Sequence, residues 1–80
     1  MEVFKTPIEG LLVIEPKVFR DARGYFVEMY NEKRYREAGV DATFVQDNQS
    51  CSSFGVVRGL HFQRPPYTQA KLVSCVEGRV

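Results

Sequence analysis

The sequence predicts an all-β fold with one short helical insertion. Short runs rich in β-branched and aromatic residues recur along the 80 residues, separated by glycine, proline or aspartate-rich turn signals. Only Asn31 to Gly39 carries helix-ending residues at both sides. The resulting order is strand, strand, short helix, strand, strand, strand, read as a single domain over residues 1–80.

Taken in order, Leu11-Leu12-Val13-Ile14 is an apolar run closed by Glu15-Pro16, because the residue before a proline tends to end a regular element. Val18-Phe19 resumes the strand. Arg20-Asp21-Ala22-Arg23-Gly24 is polar, ends in glycine and reads as a turn. Tyr25 to Tyr30 is β-rich, and period two puts Phe26, Glu28 and Tyr30 on one face. An acid between two aromatics is either a rim charge or a holder for a ligand's polar edge. From Asn31 to Gly39, Asn31 can cap, Tyr35 and Ala38 share a side, and Gly39 suits the position just past a helix.

Thr43 to Ser50 begins apolar and turns polar, with Phe44, Gln46, Asn48 and Ser50 on one face of a strand. Amides and acids are poor strand formers, so this run is either an exposed edge or a polar pocket wall. Ser52-Ser53-Phe54-Gly55 is a turn signal, and Arg64-Pro65-Pro66-Tyr67 a loop, since proline cannot donate to a ladder. Gln69 to Val76 returns as a strand, with Lys71, Val73 and Cys75 on one side. Glu77-Gly78-Arg79 is a turn and Val80 opens a further strand, so the chain is expected to be the N-terminal part of something longer.

Eleven basic against ten acidic residues leave a net charge of +1, which argues against a nucleic-acid arm. No apolar run approaches the ~18 residues of a membrane span, and Met1 to Pro7 lacks the apolar core of a signal peptide. Cys51 and Cys75 are far apart and outside any CxxC pattern. A disulfide scaffold is therefore not expected, and a reducing cytoplasm is.

The chemistry concentrates at Val56-Val57-Arg58-Gly59-Leu60-His61-Phe62-Gln63, which holds the only histidine. It reads as a strand, with Arg58 and His61 on opposite faces if it is regular. Bringing both to one pocket needs an extra residue or a sharp twist, and Gly59 is where that distortion is least costly. A strand with an incidental histidine is the plain alternative. A metal site is not expected, because the chain lacks a His-x-His pair and several converging ligands.

Four blocks resemble the dTDP-4-dehydrorhamnose 3,5-epimerases: Phe19-Arg20-Asp21-Ala22-Arg23-Gly24-Tyr25-Phe26-Val27-Glu28, Phe44-Val45-Gln46-Asp47-Asn48-Gln49-Ser50, Arg58-Gly59-Leu60-His61-Phe62-Gln63 and Lys71-Leu72-Val73. They stand in the family's order and show no departure from its pattern. The resemblance implies a cupin-like jelly roll, a cytoplasmic homodimer, no cofactor, and a dTDP-4-keto-6-deoxy sugar as substrate. It assigns His61 as general base and Lys71 as the cation on the enolate oxygen. Arg58, with Gln46 and Asn48, would hold the diphosphate side of the substrate, and Asp47 would be a further substrate-binding residue. Arg23, Phe26 and Glu28 would reach the nucleotide, from the neighbouring subunit.

The chemistry fits those roles. A C–H beside a ketone is a weak acid, and histidine titrates near neutral pH. The charge that develops lands on the carbonyl oxygen, where a cation favours the transition state over the ground state. Arginine can hold a pyrophosphate through two donors. The family's proton-donating tyrosine and histidine-orienting aspartate have no counterpart in these residues, and Tyr25, Tyr30, Tyr35 and Tyr67 do not match that tyrosine's motif. These 80 residues alone are therefore expected to form an inactive part-site. A one-carbon epimerase and a non-catalytic nucleotide-sugar-binding or dimerisation module remain open, while a metal-dependent cupin oxygenase lacks its ligands.

Overall fold

The computed structural model describes residues 1–80 and divides into two units, Met1–Thr43 and Phe44–Val80. All the regular structure is in the first. Strand β1 (Glu2–Lys5) pairs antiparallel with β2 (Leu12–Glu15), and β3 (Val18–Asp21) pairs antiparallel with β4 (Gly24–Val27). Helix α1 (Glu32–Glu37) follows. The structure is thus mostly strand with one small helix, consistent with an all-β chain.

In the first hairpin, Val3 faces Ile14 and Phe4 faces Val13. Leu12 and Ile14 are half-buried while Val13 and Glu15 are exposed, the alternation expected of a strand with one covered face. Thr6 holds the connecting loop: its single hydroxyl proton has the carbonyls of Leu11 and Ile8 within reach, at 2.9 and 3.0 Å, and its oxygen accepts from the Ile8 amide at 3.2 Å. β1 was not among the expected strands.

The second hairpin turns where the sequence predicts. Ala22 and Arg23 form the turn, and the Asp21 carboxylate accepts from the Arg23 amide at 2.8 Å, an arrangement in which the side chain stabilises its own turn. Phe19 and Phe26 are paired across the strands, their rings 6.5 Å apart. β4 ends at Val27, so the expected face of Phe26, Glu28 and Tyr30 does not continue as a strand. The chain is drawn off into α1, where the Tyr30 and Tyr35 rings meet edge to face at 5.0 Å.

Helix α1 follows its caps. Asn31 is extended (φ −145°, ψ 116°), and its Oδ1 accepts from the Arg34 amide at 3.0 Å. At the other end the Gly39 amide donates to the Arg36 carbonyl and the Val40 amide to the Tyr35 carbonyl. This double bond pattern needs a left-handed residue, and Gly39 supplies it at φ +101°. Tyr35 is the one buried side chain, 4% exposed, and its hydroxyl donates to the Met29 carbonyl at 2.8 Å.

From Phe44 onward the chain turns without forming a ladder. The expected strands at 43–50, 56–63 and 69–76 are absent. A run of strand-forming residues needs a neighbour to pair with, and side chains such as Val57, Leu60, Phe62 and Val73 are largely exposed. The expected turns do form: the Val56 amide donates to the Ser53 carbonyl at 3.2 Å, and the Tyr67 amide to the Arg64 carbonyl at 2.8 Å. Gly59 has φ +133°, a conformation that L side chains avoid, but no strand surrounds it, so the expected bulge has no ladder to interrupt. No helix is long and apolar enough to cross a membrane.

Burial, and then the charges of Glu28 and Tyr30, hold the Tyr35 phenol above the ordinary tyrosine range. The folded state therefore keeps this proton longer than the unfolded state. Its contribution is complete below the ordinary tyrosine range and is lost as pH rises through the raised value. Tyr35→Phe is expected to cost roughly 1 kcal/mol at neutral pH, read from urea unfolding, because the bond to Met29 is lost. Circular dichroism should also show a smaller alkaline loss of stability in Tyr35→Phe than in the unaltered chain.

Candidate functional site

Within residues 44–80, a turn at Arg64–Tyr67, closed by the Tyr67 amide on the Arg64 carbonyl, separates the histidine segment from residues 68–71. His61, Phe62 and Gln63 on one side and Thr68, Gln69 and Lys71 on the other line an open cleft of about 450 Å³. Proline at two successive positions suits such a reversal, because it fixes φ and removes donors that a ladder would need. The two residues assigned to proton transfer and enolate stabilisation thus border one cavity. Both are exposed, so the His61 imidazole is open to a ligand and is not sealed in hydrocarbon. Phe62 offers an apolar wall, and Gln63, Thr68 and Gln69 offer neutral donors and acceptors beside the two ionisable groups.

The other predicted residues of this unit lie outside that lining. Arg58 donates through Nη2 to the Cys51 carbonyl at 3.3 Å, closing the loop that contains the Ser53–Val56 turn. The Gln46 amide donates to Asn48 Oδ1 at 3.5 Å, a long bond between exposed side chains, and Asp47 is exposed between them. The amides that the sequence puts on one face of a strand therefore meet, though no strand carries them.

In the first unit, Arg23 sits in the β3–β4 turn. Its Nη2 lies 2.7 Å from Asp21 Oδ2, with Nε 3.4 Å from Oδ1, so a two-point ion pair sets the guanidinium. This pair, and then the backbone bond from the Arg23 amide, holds the Asp21 carboxyl below the ordinary aspartate range, and the same pair raises Arg23. Phe26 is 69% exposed on the hairpin, leaving an aromatic face for a planar ligand. Glu28 follows β4 and pairs with Arg34 of α1, Nη1 to Oε1, at 3.0 Å.

Sequence reasoning did not single out Thr68, Gln69 or Arg34. The first two follow the double proline, and a reversal there implies that they face His61–Gln63. Arg34 lies three residues past a capping asparagine, and that spacing is the available signal. Cys51 and Cys75 are free and exposed. No three His, Cys, Asp or Glu side chains converge as a metal set.

The model of one protein family, dTDP-4-dehydrorhamnose 3,5-epimerase, matches residues 5–80. Among curated proteins, the chain is similar to the dTDP-4-dehydrorhamnose 3,5-epimerase of Shigella flexneri, 56% identical over all of this chain and 45% of that protein. The Escherichia coli K12 protein of the same name is 51% identical over all of this chain and 44% of its own length. That of Methanothermobacter thermautotrophicus is 50% identical over 95% of this chain and 40% of its own. The chain thus spans less than half the length of these relatives. No solved structure matches it significantly.

The Arg23–Asp21 pair is open to direct measurement. In an NMR titration, the Asp21 carboxyl should protonate below the ordinary aspartate range. Arg23→Gln should move that midpoint up but not fully back, since the amide at position 23 still donates to the carboxylate. An unmoved midpoint would assign the shift to the backbone alone.

Proposed function

The chain belongs to the dTDP-4-dehydrorhamnose 3,5-epimerase family, and on that premise we propose that the protein bearing it inverts C3′ and C5′ of a dTDP-4-keto-6-deoxyhexose in dTDP-L-rhamnose biosynthesis. His61 is the general base. It takes the proton from the carbon beside the 4-ketone, and the electron pair moves into an enolate whose negative charge rests on the former carbonyl oxygen. Lys71 donates to that oxygen. The observation that supports these roles is that His61 and Lys71 line one cleft.

The remaining assignments follow the same reading. Arg58, with Gln46 and Asn48, holds the diphosphate side, Asp47 is a further substrate-binding residue, and Arg23, Phe26 and Glu28 hold the nucleotide. The complete domain is a cupin-like jelly roll, working as a homodimer in the cytoplasm. Strands of such a fold would give the exposed Val57, Leu60 and Val73 the apolar neighbours they lack here.

The test is isotope exchange with the full-length protein. In deuterated water, label is expected at both C3′ and C5′ of the sugar. His61→Ala should slow exchange by about 100- to 10,000-fold, the usual contribution of a general base. Lys71→Ala should lower kcat by about 100- to 1,000-fold, as removing an oxyanion donor does. Undiminished exchange in His61→Ala would remove it from the base role. Label at one carbon only would make the enzyme a one-carbon epimerase, and none in the unaltered protein would leave a binding module.

A further inference from the structure

We propose that Arg34 is a positioning residue for nucleotide recognition, setting the Glu28 carboxylate in the orientation that receives the nucleoside. This rests on the epimerase reading, in which Glu28 reaches the nucleotide.

The geometry carries it. Glu28 sits just beyond the end of β4, where no ladder holds its backbone. An exposed carboxylate at such a position samples many rotamers, and ordering it on ligand binding costs free energy. The Arg34 guanidinium, 3.0 Å away, narrows that freedom. The backbone of Arg34 is itself fixed in three ways. Its amide is taken by the Asn31 cap, its carbonyl accepts from Ala38 at 3.0 Å, and the next residue is the buried Tyr35, tied to Met29 beside Glu28. The helix thus acts as a bracket that presents one guanidinium to one carboxylate.

Only half of that carboxylate is used. Arg34 engages Oε1, and Oε2 takes no bond from the protein. An ionised carboxylate accepts and does not donate, so the open oxygen suits a donor: the ring N–H of thymine or a sugar hydroxyl. The pair is partly exposed, 62% for Arg34 and 41% for Glu28, and exposed pairs contribute little to folding. Its consequence is orientation of Glu28 before the ligand arrives.

The experiment measures dTDP and inorganic pyrophosphate binding by calorimetry on the full-length protein, with steady-state kinetics and thermal unfolding alongside. Arg34→Gln should weaken dTDP about tenfold, equivalent to about 1.4 kcal/mol, and leave pyrophosphate within about twofold. It should raise KM by a similar factor with kcat nearly unchanged, the pattern of lost uniform binding. Arg34→Lys should restore most of the affinity, because an ammonium can still meet Glu28. Glu28→Gln should weaken dTDP similarly, and adding Arg34→Gln to it should cost nothing more, since both act through one contact. Unchanged dTDP affinity in Arg34→Gln would overturn the proposal, as would fully additive effects. Equal weakening of pyrophosphate would overturn it too, making Arg34 a direct phosphate ligand or a folding residue. If the unaltered protein binds pyrophosphate but not dTDP, the nucleotide reading itself fails and takes the proposal with it; the unaltered protein alone reveals that case.

Discussion

The hydrogen bond from the Tyr35 hydroxyl to the Met29 carbonyl is the constraint that ties helix α1 to the end of the second hairpin. Tyr35 is the one side chain removed from water, 4% exposed, with its ring edge to face against that of Tyr30. A helix of six residues is far below the length at which isolated helices persist, and two-stranded hairpins are marginal by themselves. Tying the helix back to the segment just after β4 gives both a shared anchor. The polar tip of the ring reaches a carbonyl that no strand satisfies, so burying it leaves no unmet donor.

Around that anchor, charge decides where the chain goes next. Arg36 uses Nε toward Glu32, Nη1 toward Asp41 and Nη2 toward the Thr43 hydroxyl. Each contact is exposed and individually weak, but all share one planar group whose donors have fixed directions. One guanidinium thus binds the helix and the residues after its glycine stop. Arg34 and Arg36, two apart on α1, divide the work: the first faces back to β4, the second forward to residues 41–43.

What could be read in the residues was what local chemistry determines. The Asp21–Gly24 turn, the Asn31 cap, the Gly39 stop and the turns at Ser53 and Arg64 each depend on neighbours within a few positions, and each forms. Strands at 56–63 and 69–76 need partners distant in sequence, and period-two spacing says nothing about whether a partner is there to pair. Gly59 illustrates the split: its unusual φ follows from lacking a Cβ, whereas the ladder it was to interrupt is a long-range property. β1, Glu2-Val3-Phe4-Lys5, gives no strand signal because only two apolar residues stand between charged ones, whereas β2 holds three in a row. Of the site, His61 and Lys71 were identified through the four-block resemblance, and the double proline between them explains how they come to one cleft. The Glu28–Arg34 pair was not read, since it crosses from a strand end to a helix and depends on side-chain reach.

One pairing in the first hairpin has a bearing on self-association. Glu2 and Glu15 stand directly opposite each other at the open end of the β1–β2 ribbon. Facing like charges weakens that rung. Both strands of a two-stranded sheet are edges, each with unused backbone donors and acceptors, and β1 is apolar in its middle. Two carboxylates at the mouth of the ribbon repel the same two carboxylates on another molecule. A copy attempting to lengthen the sheet in parallel, in-register fashion therefore brings four negative charges together, which discourages fibril-like stacking at the cost of one weak rung.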